Sequence, residues 1–168
     1  HIPGLVIAMP SNGYDAKGLL KTAINSPEPV LFFEHKKLYK TKSEVPETEY
    51  AVEFGQGRIV REGKDMTVVA ISNMVKVVEE AADELKTRYG YELEIIDPRT
   101  IVPLDLDLIG ESLKKTNKAF VVEEGVLRGG VGSEISARIH EQYFDELDFP
   151  VTRIASRNIP IPMSPLME

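Results

Sequence analysis

The sequence predicts an α/β fold in three layers, with helices on both faces of a mostly parallel sheet. Three observations carry that expectation. Short strand-like runs recur at 67–71, 93–96, 119–122 and 151–155. Stretches with helical apolar spacing fill the intervals, and glycine or a capping polar residue marks the changes between them. Strands alternating with helices of about 10 to 15 residues call for right-handed crossovers and parallel pairing.

Each element has its own signal. Val6-Ile7-Ala8-Met9 is a short apolar run closed by Pro10, and Ala16, Leu19, Leu20, Ala23 and Ile24 then recur at helical spacing. Pro27 and Pro29 break that helix, because each disfavours helical geometry just before it, and Val30-Leu31-Phe32-Phe33 reads as a buried strand. From Glu34 to about Gln56 the chain turns charged and loses periodicity, which predicts a solvated connection between domains. Val52, Phe54 and Ile59-Val60 around Gly55 and Gly57 suggest a short strand or hairpin. After the strand at 67–71, Met74, Val75, Val78, Ala81, Ala82, Leu85 and Tyr89 form one apolar helix face that Gly90 ends. Asp97-Pro98-Arg99-Thr100 leaves the next strand, and Asp105 can cap a helix through Leu106, Ile109 and Leu113. Ile135, Ile139 and Tyr143 mark a third helix before the last strand.

Composition narrows the function classes. The 168 residues hold 27 acidic against 20 basic side chains, a net charge of −7, so a phosphate backbone would be repelled and nucleic acid is not expected as a partner. No run reaches the ~18 apolar residues of a spanning helix, so no membrane span is expected. The lack of cysteine excludes disulfides, thiolate metal sites and cysteine nucleophiles. The opening His1-Ile2-Pro3-Gly4 lacks the features of a signal peptide, and the first ~34 residues read as a βαβ tail too small to cover its own sheet. The expectation is a piece of a longer chain, whose first segment either associates with partners or stays disordered.

Several motifs admit two readings. Gly125, Gly129, Gly130 and Gly132 lie between strand and helix, either as an anion cradle or as a loop that lets backbones approach closely. Dinucleotide spacing fails at Ile135, which favours the second. Glu123 and Glu124 end a strand where α/β folds place functional groups, yet successive strand residues point to opposite faces, which favours a structural or interface role. Glu34-His35 could line a cleft, and His140 reads as a solvated or half-buried helix residue. Pro160, Pro162 and Pro165 around Met163 suggest an extended docking strip.

Over nearly its whole length the chain resembles the beta subunit of thiamine-diphosphate-dependent 2-oxo acid dehydrogenases, in the transketolase superfamily. The carrying residues are His1-Ile2-Pro3-Gly4-Leu5 with Pro10-Ser11, and Tyr14-Asp15-Ala16-Lys17-Gly18-Leu19-Leu20. Further on they include Arg61-Glu62-Gly63, Asp97 with Arg99-Thr100-Ile101, Pro103-Leu104-Asp105, Lys115-Thr116, Glu124, Gly130 with Gly132, Glu134-Ile135 and Arg153.

The resemblance implies the end of a pyrimidine-binding domain over residues 1–38, a linker over 39–55 and a transketolase C-terminal domain over 56–168. It implies pyruvate dehydrogenase activity, oxidative decarboxylation with reductive acylation of a lipoyl group, in a cytoplasmic or mitochondrial-matrix multienzyme complex. Thiamine diphosphate and Mg²⁺ would serve the intact enzyme, with no catalytic or cofactor-binding residue in this stretch. The implied partners are an alpha subunit and a second beta subunit in a heterotetramer, and the peripheral subunit-binding domain of a dihydrolipoyl acyltransferase. Potassium would sit on the carbonyls of Ala23, Ile24, Ser26 and Glu28, where a helix end leaves acceptors without intrahelical donors. Asp148, with Asp145 and Glu146, would receive a basic side chain from the acyltransferase domain. The alternative is a non-catalytic α/β module serving protein contacts.

Overall fold

A computed structural model describes residues 2–161. His1 and the tail residues Pro162, Met163 and Pro165 lie outside the described residues. Strand β1 (Val6–Ala8) crosses through helix α1 (Gly13–Asn25) to strand β2 (Val30–Phe32), which pairs parallel to it, Val6 opposite Val30. Asn12 starts the helix by accepting the Asp15 N–H on its side chain at 2.9 Å. Leu19 and Asp15 on the inner face are fully buried.

The large sheet has the order β3-β5-β4-β7-β8, built from β3 (Arg58–Arg61), β4 (Met66–Ala70), β5 (Leu93–Asp97), β7 (Ala119–Val126) and β8 (Thr152–Ser156). All its pairings are parallel except β3 with β5. Helix α2 (Met74–Tyr89) covers one face through Val75, Val78 and Ala82, against Val68, Ala70 and Ile95. Helices α3 (Leu106–Thr116) and α4 (Val131–Tyr143) cover the other through Ile109, Leu113, Ile135 and Ile139, against Val69, Ile96 and Val121. Successive residues of β4 thus feed two cores, which is why that strand reads as an unbroken apolar run. Gly90 closes α2 at φ +76°, a left-handed turn that favours glycine.

Three expectations change. The segment after β5 forms strand β6 (Thr100–Val102), which leaves the large sheet and pairs antiparallel with β1, Ala8 opposite Thr100. The small sheet is therefore β2-β1-β6, completed by the second unit. Strand β2 is its edge rather than a buried strand, and Leu31 and Phe33 remain 41% and 50% exposed. Of the short strand or hairpin expected near Ile59, the strand forms as β3 and pairs with β5 instead of folding back as a hairpin.

The charged connection is also not a free linker. After a 3-10 turn at Lys36–Lys40 it folds back along α1 as a strap. Ser43 accepts the Gly13 N–H at 3.0 Å, the Tyr50 hydroxyl donates to the Tyr14 carbonyl at 2.9 Å, and the two tyrosine rings stack 4.4 Å apart. Thr22 donates to the Val52 carbonyl at 2.7 Å. Gly18 permits this approach, because a Cβ there would lie 2.5 Å from Val52 Cγ2. Charge composition hid the strap, since its ties combine backbone groups and two tyrosines with Lys17, which donates to the Pro46 and Thr48 carbonyls, and a Lys21–Glu49 pair that sequence alone does not match up.

Candidate functional site

Helix α2 follows β4 on one face of the large sheet and α4 follows β7 on the other, although β4 and β7 are neighbours. Their connections diverge and open a crevice at the carboxyl ends of the strands, the usual place for a site in such sheets. Residues from the first unit enter it. Met9 and His35 join Ile71, Ser72, Asn73, Glu123 and Glu124 around a cleft of about 350 Å³.

The two glutamates at the end of β7 separate as strand geometry requires. Glu123 turns back under α4, and its Oε1 accepts the Gly132 N–H at 3.0 Å. A Cβ on Gly130 or Gly132 would meet that carboxylate at about 2.5–2.6 Å. The glycine loop is therefore an anion cradle that holds the protein's own carboxylate, uniting the two readings of the motif. Burial pushes the Glu123 carboxyl up from its ordinary value, opposed by the Gly132 and Val131 N–H groups and by Arg153.

Glu124 points the other way and meets His35, Nε2 to Oε2, at 2.5 Å. Nδ1 of His35 accepts the Lys37 N–H at 3.2 Å, so Nε2 carries the proton donated to Glu124. His35 therefore lines the cleft as the sequence suggested, and it ties the first unit to β7.

Ser72 follows β4 at φ +52°, in a strand-to-helix turn like those that expose nucleophiles. Its hydroxyl donates instead to the Pro10 carbonyl at 3.3 Å, and both His35 nitrogens are engaged. The turn joins the two units, and among the described residues the Ser72 hydroxyl bonds a backbone carbonyl rather than a base.

Beside the cleft lies a buried ionic cluster. Asp15 and Asp97 are both fully buried, one on α1 and one at the end of β5. Arg99 Nη2 lies 2.7 Å from Asp15 Oδ1, and Arg58 Nε lies 3.1 Å from Asp15 Oδ2 and 3.7 Å from Asp97. Ser11 donates to Asp97, whose other oxygen accepts the Arg99 N–H at 2.9 Å. Burial pushes the Asp97 carboxyl up to about 6 against the pull of Ser11, Arg99 and Arg58. Arg99 is left-handed at φ +59°, which lets its carbonyl accept the Met9 N–H at 2.9 Å. This cluster was not recognised from sequence. Its signal was an acid on an apolar helix face, since Asp15 precedes the core residue Leu19 by one helical turn.

The other expected site residues lie elsewhere. Ala23, Ile24, Ser26 and Glu28 form the passage from α1 to β2, where Ala23 O accepts the Ser26 N–H at 3.3 Å and Ser26 Oγ the Glu28 N–H at 3.1 Å. Asp145, Glu146 and Asp148 lie between α4 and β8, in a 3-10 turn at Phe144–Glu146 and the residues after it. The Asp148 N–H donates to Asn117 O at 2.9 Å and the Asn117 amide to Glu146 O at 3.1 Å, so this loop is held against the end of α3. His140 is half-buried, its Nδ1 donating to Ser136 O at 2.7 Å and its Nε2 accepting the Val151 N–H at 3.3 Å.

Comparison with known proteins places this architecture. Residues 55–168 match the transketolase C-terminal domain and residues 1–42 the transketolase pyrimidine-binding domain, so the chain belongs to the transketolase C-terminal domain family. It is 45% identical, over 99% of its length, to the acetoin:2,6-dichlorophenolindophenol oxidoreductase subunit beta of Bacillus subtilis (strain 168), covering 48% of that protein. It is also 45% identical, over 99% of its length, to the pyruvate dehydrogenase E1 component subunit beta of Porphyra purpurea, covering 50% of it. The chain thus spans about half the length of the curated relatives it matches. A solved structure described as a split gene transketolase, an inactive beta4 tetramer, superposes with a TM-score of 0.79 at 26% identity, over 94% of this chain and 50% of that one.

Proposed function

We propose that the chain is the C-terminal part of the beta subunit of a thiamine-diphosphate-dependent 2-oxo acid dehydrogenase of the pyruvate dehydrogenase type. The reaction would be oxidative decarboxylation with reductive acylation of a lipoyl group, in the cytoplasm or the mitochondrial matrix. One observation carries this reading: 45% identity to a pyruvate dehydrogenase beta subunit runs through both units and the strap that joins them. Similarity to an acetoin oxidoreductase beta subunit supports a second substrate reading, acetoin.

The described residues do not fit the cofactor. No three acidic or histidine side chains among them come together as metal ligands. The anion cradle at the start of α4 is filled by Glu123, which leaves no seat there for a diphosphate. On this reading the 168 residues alone decarboxylate nothing, and Mg²⁺ and the cofactor are held by an alpha subunit and by other parts of the beta subunit. What these residues supply is assembly: the shared sheet, the Asp15–Arg99 pair and the His35–Glu124 contact fix the two units against each other.

Two further parts belong to the same reading. Potassium would bind at the carbonyls of Ala23, Ile24, Ser26 and Glu28, steadying the end of α1. Asp148 would dock the peripheral subunit-binding domain of a dihydrolipoyl acyltransferase, with Asp145 and Glu146 steering its approach. The test is the polypeptide carrying this chain, co-expressed with an alpha subunit and assayed for dye reduction. Turnover is expected with pyruvate. Turnover only with acetoin would move the assignment to the second reading, and none with pyruvate, branched-chain 2-oxo acids or acetoin would overturn it.

A further inference from the structure

Asn12-Gly13 is the one Asn-Gly pair in the sequence. Glycine leaves its own nitrogen unhindered and its backbone free to rotate, so an asparagine before it is the one whose side-chain amide the next backbone nitrogen attacks most readily. Each residue of this labile pair is fixed by a structural task. Asn12 caps α1: its Oδ1 accepts the Asp15 N–H at 2.9 Å, and its Nδ2 donates to Asp15 Oδ2 at 2.5 Å and to Ser11 Oγ at 3.2 Å. Gly13 lets the strap approach, because a Cβ there would lie 2.6 Å from Ser43 Oγ and 3.1 Å from Val45 Cγ2.

The folded backbone holds the reaction off. Attack closes a five-membered ring, which requires Cβ of Asn12 and the nitrogen of Gly13 to eclipse each other about the Cα–C bond. Asn12 is instead extended, at φ −153° and ψ 170°. Turning that bond would swing a whole peptide plane, and both polar groups of the plane are tied. The Gly13 N–H donates to Ser43 Oγ at 3.0 Å, and the Asn12 carbonyl accepts the Ala16 N–H at 2.9 Å. The second tie belongs to α1. The first belongs to the strap, where Ser43 is exposed on a stretch without regular structure. Water reaches the pair as well, since Asn12 and Gly13 are half-buried and line a hollow of about 220 Å³ with Glu34, His35 and Tyr39.

We propose that Asn12 is a deamidation site guarded by the strap, and that lifting Ser43 off Gly13 frees it to react. The Gly13 nitrogen, giving its proton to solvent, attacks Asn12 Cγ; a C–N bond forms, the bond to Nδ2 breaks and ammonia leaves. Water then opens the succinimide, at Cγ to give aspartate or at the main-chain carbon to give isoaspartate. The net change is amide plus water to carboxylate plus ammonium.

The product damages the junction. It sets a new carboxylate beside Asp15, which is fully buried, and removes the donor that Nδ2 supplied to Asp15 and Ser11. Like charges in contact out of water repel strongly. Isoaspartate also inserts an extra backbone carbon where α1 begins. Opening of the strap is thereby converted into a lasting weakening of the contact that Asp15 and Arg99 make between the two units.

The experiment keeps the intact polypeptide that carries this chain in warm, mildly alkaline buffer and follows residue 12 by peptide mapping with mass spectrometry, beside the same polypeptide in urea. The folded parent is expected to form aspartate and isoaspartate about tenfold more slowly than the unfolded chain, as a site that reacts only on local opening does. Ser43→Ala should react about fivefold faster than the folded parent, the factor that one lost hydrogen bond gives. Ser43→Thr keeps the hydroxyl and should age like the parent. Asn12→Asp, made directly, should lower the melting temperature. Equal rates for the parent and Ser43→Ala would overturn the guard, and no product at residue 12 even in urea would overturn the site. An Asn12→Asp variant that melts like the parent would overturn the damage to the junction.

Discussion

Arg99 reaches from the turn after β5 to place its guanidinium 2.7 Å from the carboxylate of Asp15, which is fully buried on α1. The pair crosses between the two units, and without Arg99 the buried Asp15 would keep Arg58, 3.1 Å away, as its remaining cation. Arg99→Met should therefore cost about 3 kcal/mol in urea unfolding, the low end of the penalty for breaking a buried ion pair from one side. The double variant Asp15→Asn/Arg99→Met should recover part of that loss. A double variant no more stable than the single one would show that the arginine acts through packing alone.

Asp97 gives the same junction a pH dependence. Burial raises its folded-state pKa from 3.8 to about 6, so the folded protein holds this proton more tightly than the unfolded chain. The contribution is therefore unfavourable above pH 6 and is relieved as pH falls from 6 towards 3.8, by roughly 3 kcal/mol in all. Unfolding of the parent at pH 7 and pH 5, compared with Asp97→Asn, should show that component only in the parent. The same pH slope in both proteins would assign it to other groups.

Gly132 is required by Glu123. A Cβ at 132 would sit 2.6 Å from the Glu123 carboxylate and 3.3 Å from Val121 Cγ1. Gly132→Ala should destabilise by about 1–3 kcal/mol through overpacking. In a Glu123→Ala background the same change should cost markedly less, a coupling that a double-mutant cycle measures directly.

The cation reading has its own check. If the carbonyls of Ala23, Ile24, Ser26 and Glu28 hold potassium, KCl should raise the melting temperature above an equal concentration of NaCl, by mass action on the folded state. Equal melting curves in the two salts would leave the end of α1 as an ordinary capped terminus.

How far the sequence reaches depends on the range of the interaction. The helices and the strands of the large sheet were legible because their signals are local: one apolar face in α2, one capping acid at Asp105, one left-handed Gly90. The strand β6 was not, because Thr100-Ile101-Val102 follows the Asp97-Pro98-Arg99 turn and pairs with residues more than ninety positions earlier. The strap was hidden by its composition. Glu123 and Glu124 were placed on opposite sides from the two-residue period of strands, but what each would meet depended on a glycine loop and on a histidine far away in sequence. Of the site residues carried over from the resemblance, Ala23 and Ile24 belong to the last turn of α1 and the others to the segments that follow α1 and α4, where no local pattern in the sequence marks a ligand.

The loan of β6 makes the small sheet a joint product of two distant stretches of chain. A protease that cut the strap between residues 41 and 50 would sever the polypeptide without parting its halves, because β1–β6 hydrogen bonds and the Asp15–Arg99 pair would still bridge them. The molecule is in effect a pre-wired complementation pair. Its two pieces, expressed from separate messages, should find each other in solution by adding the missing strand.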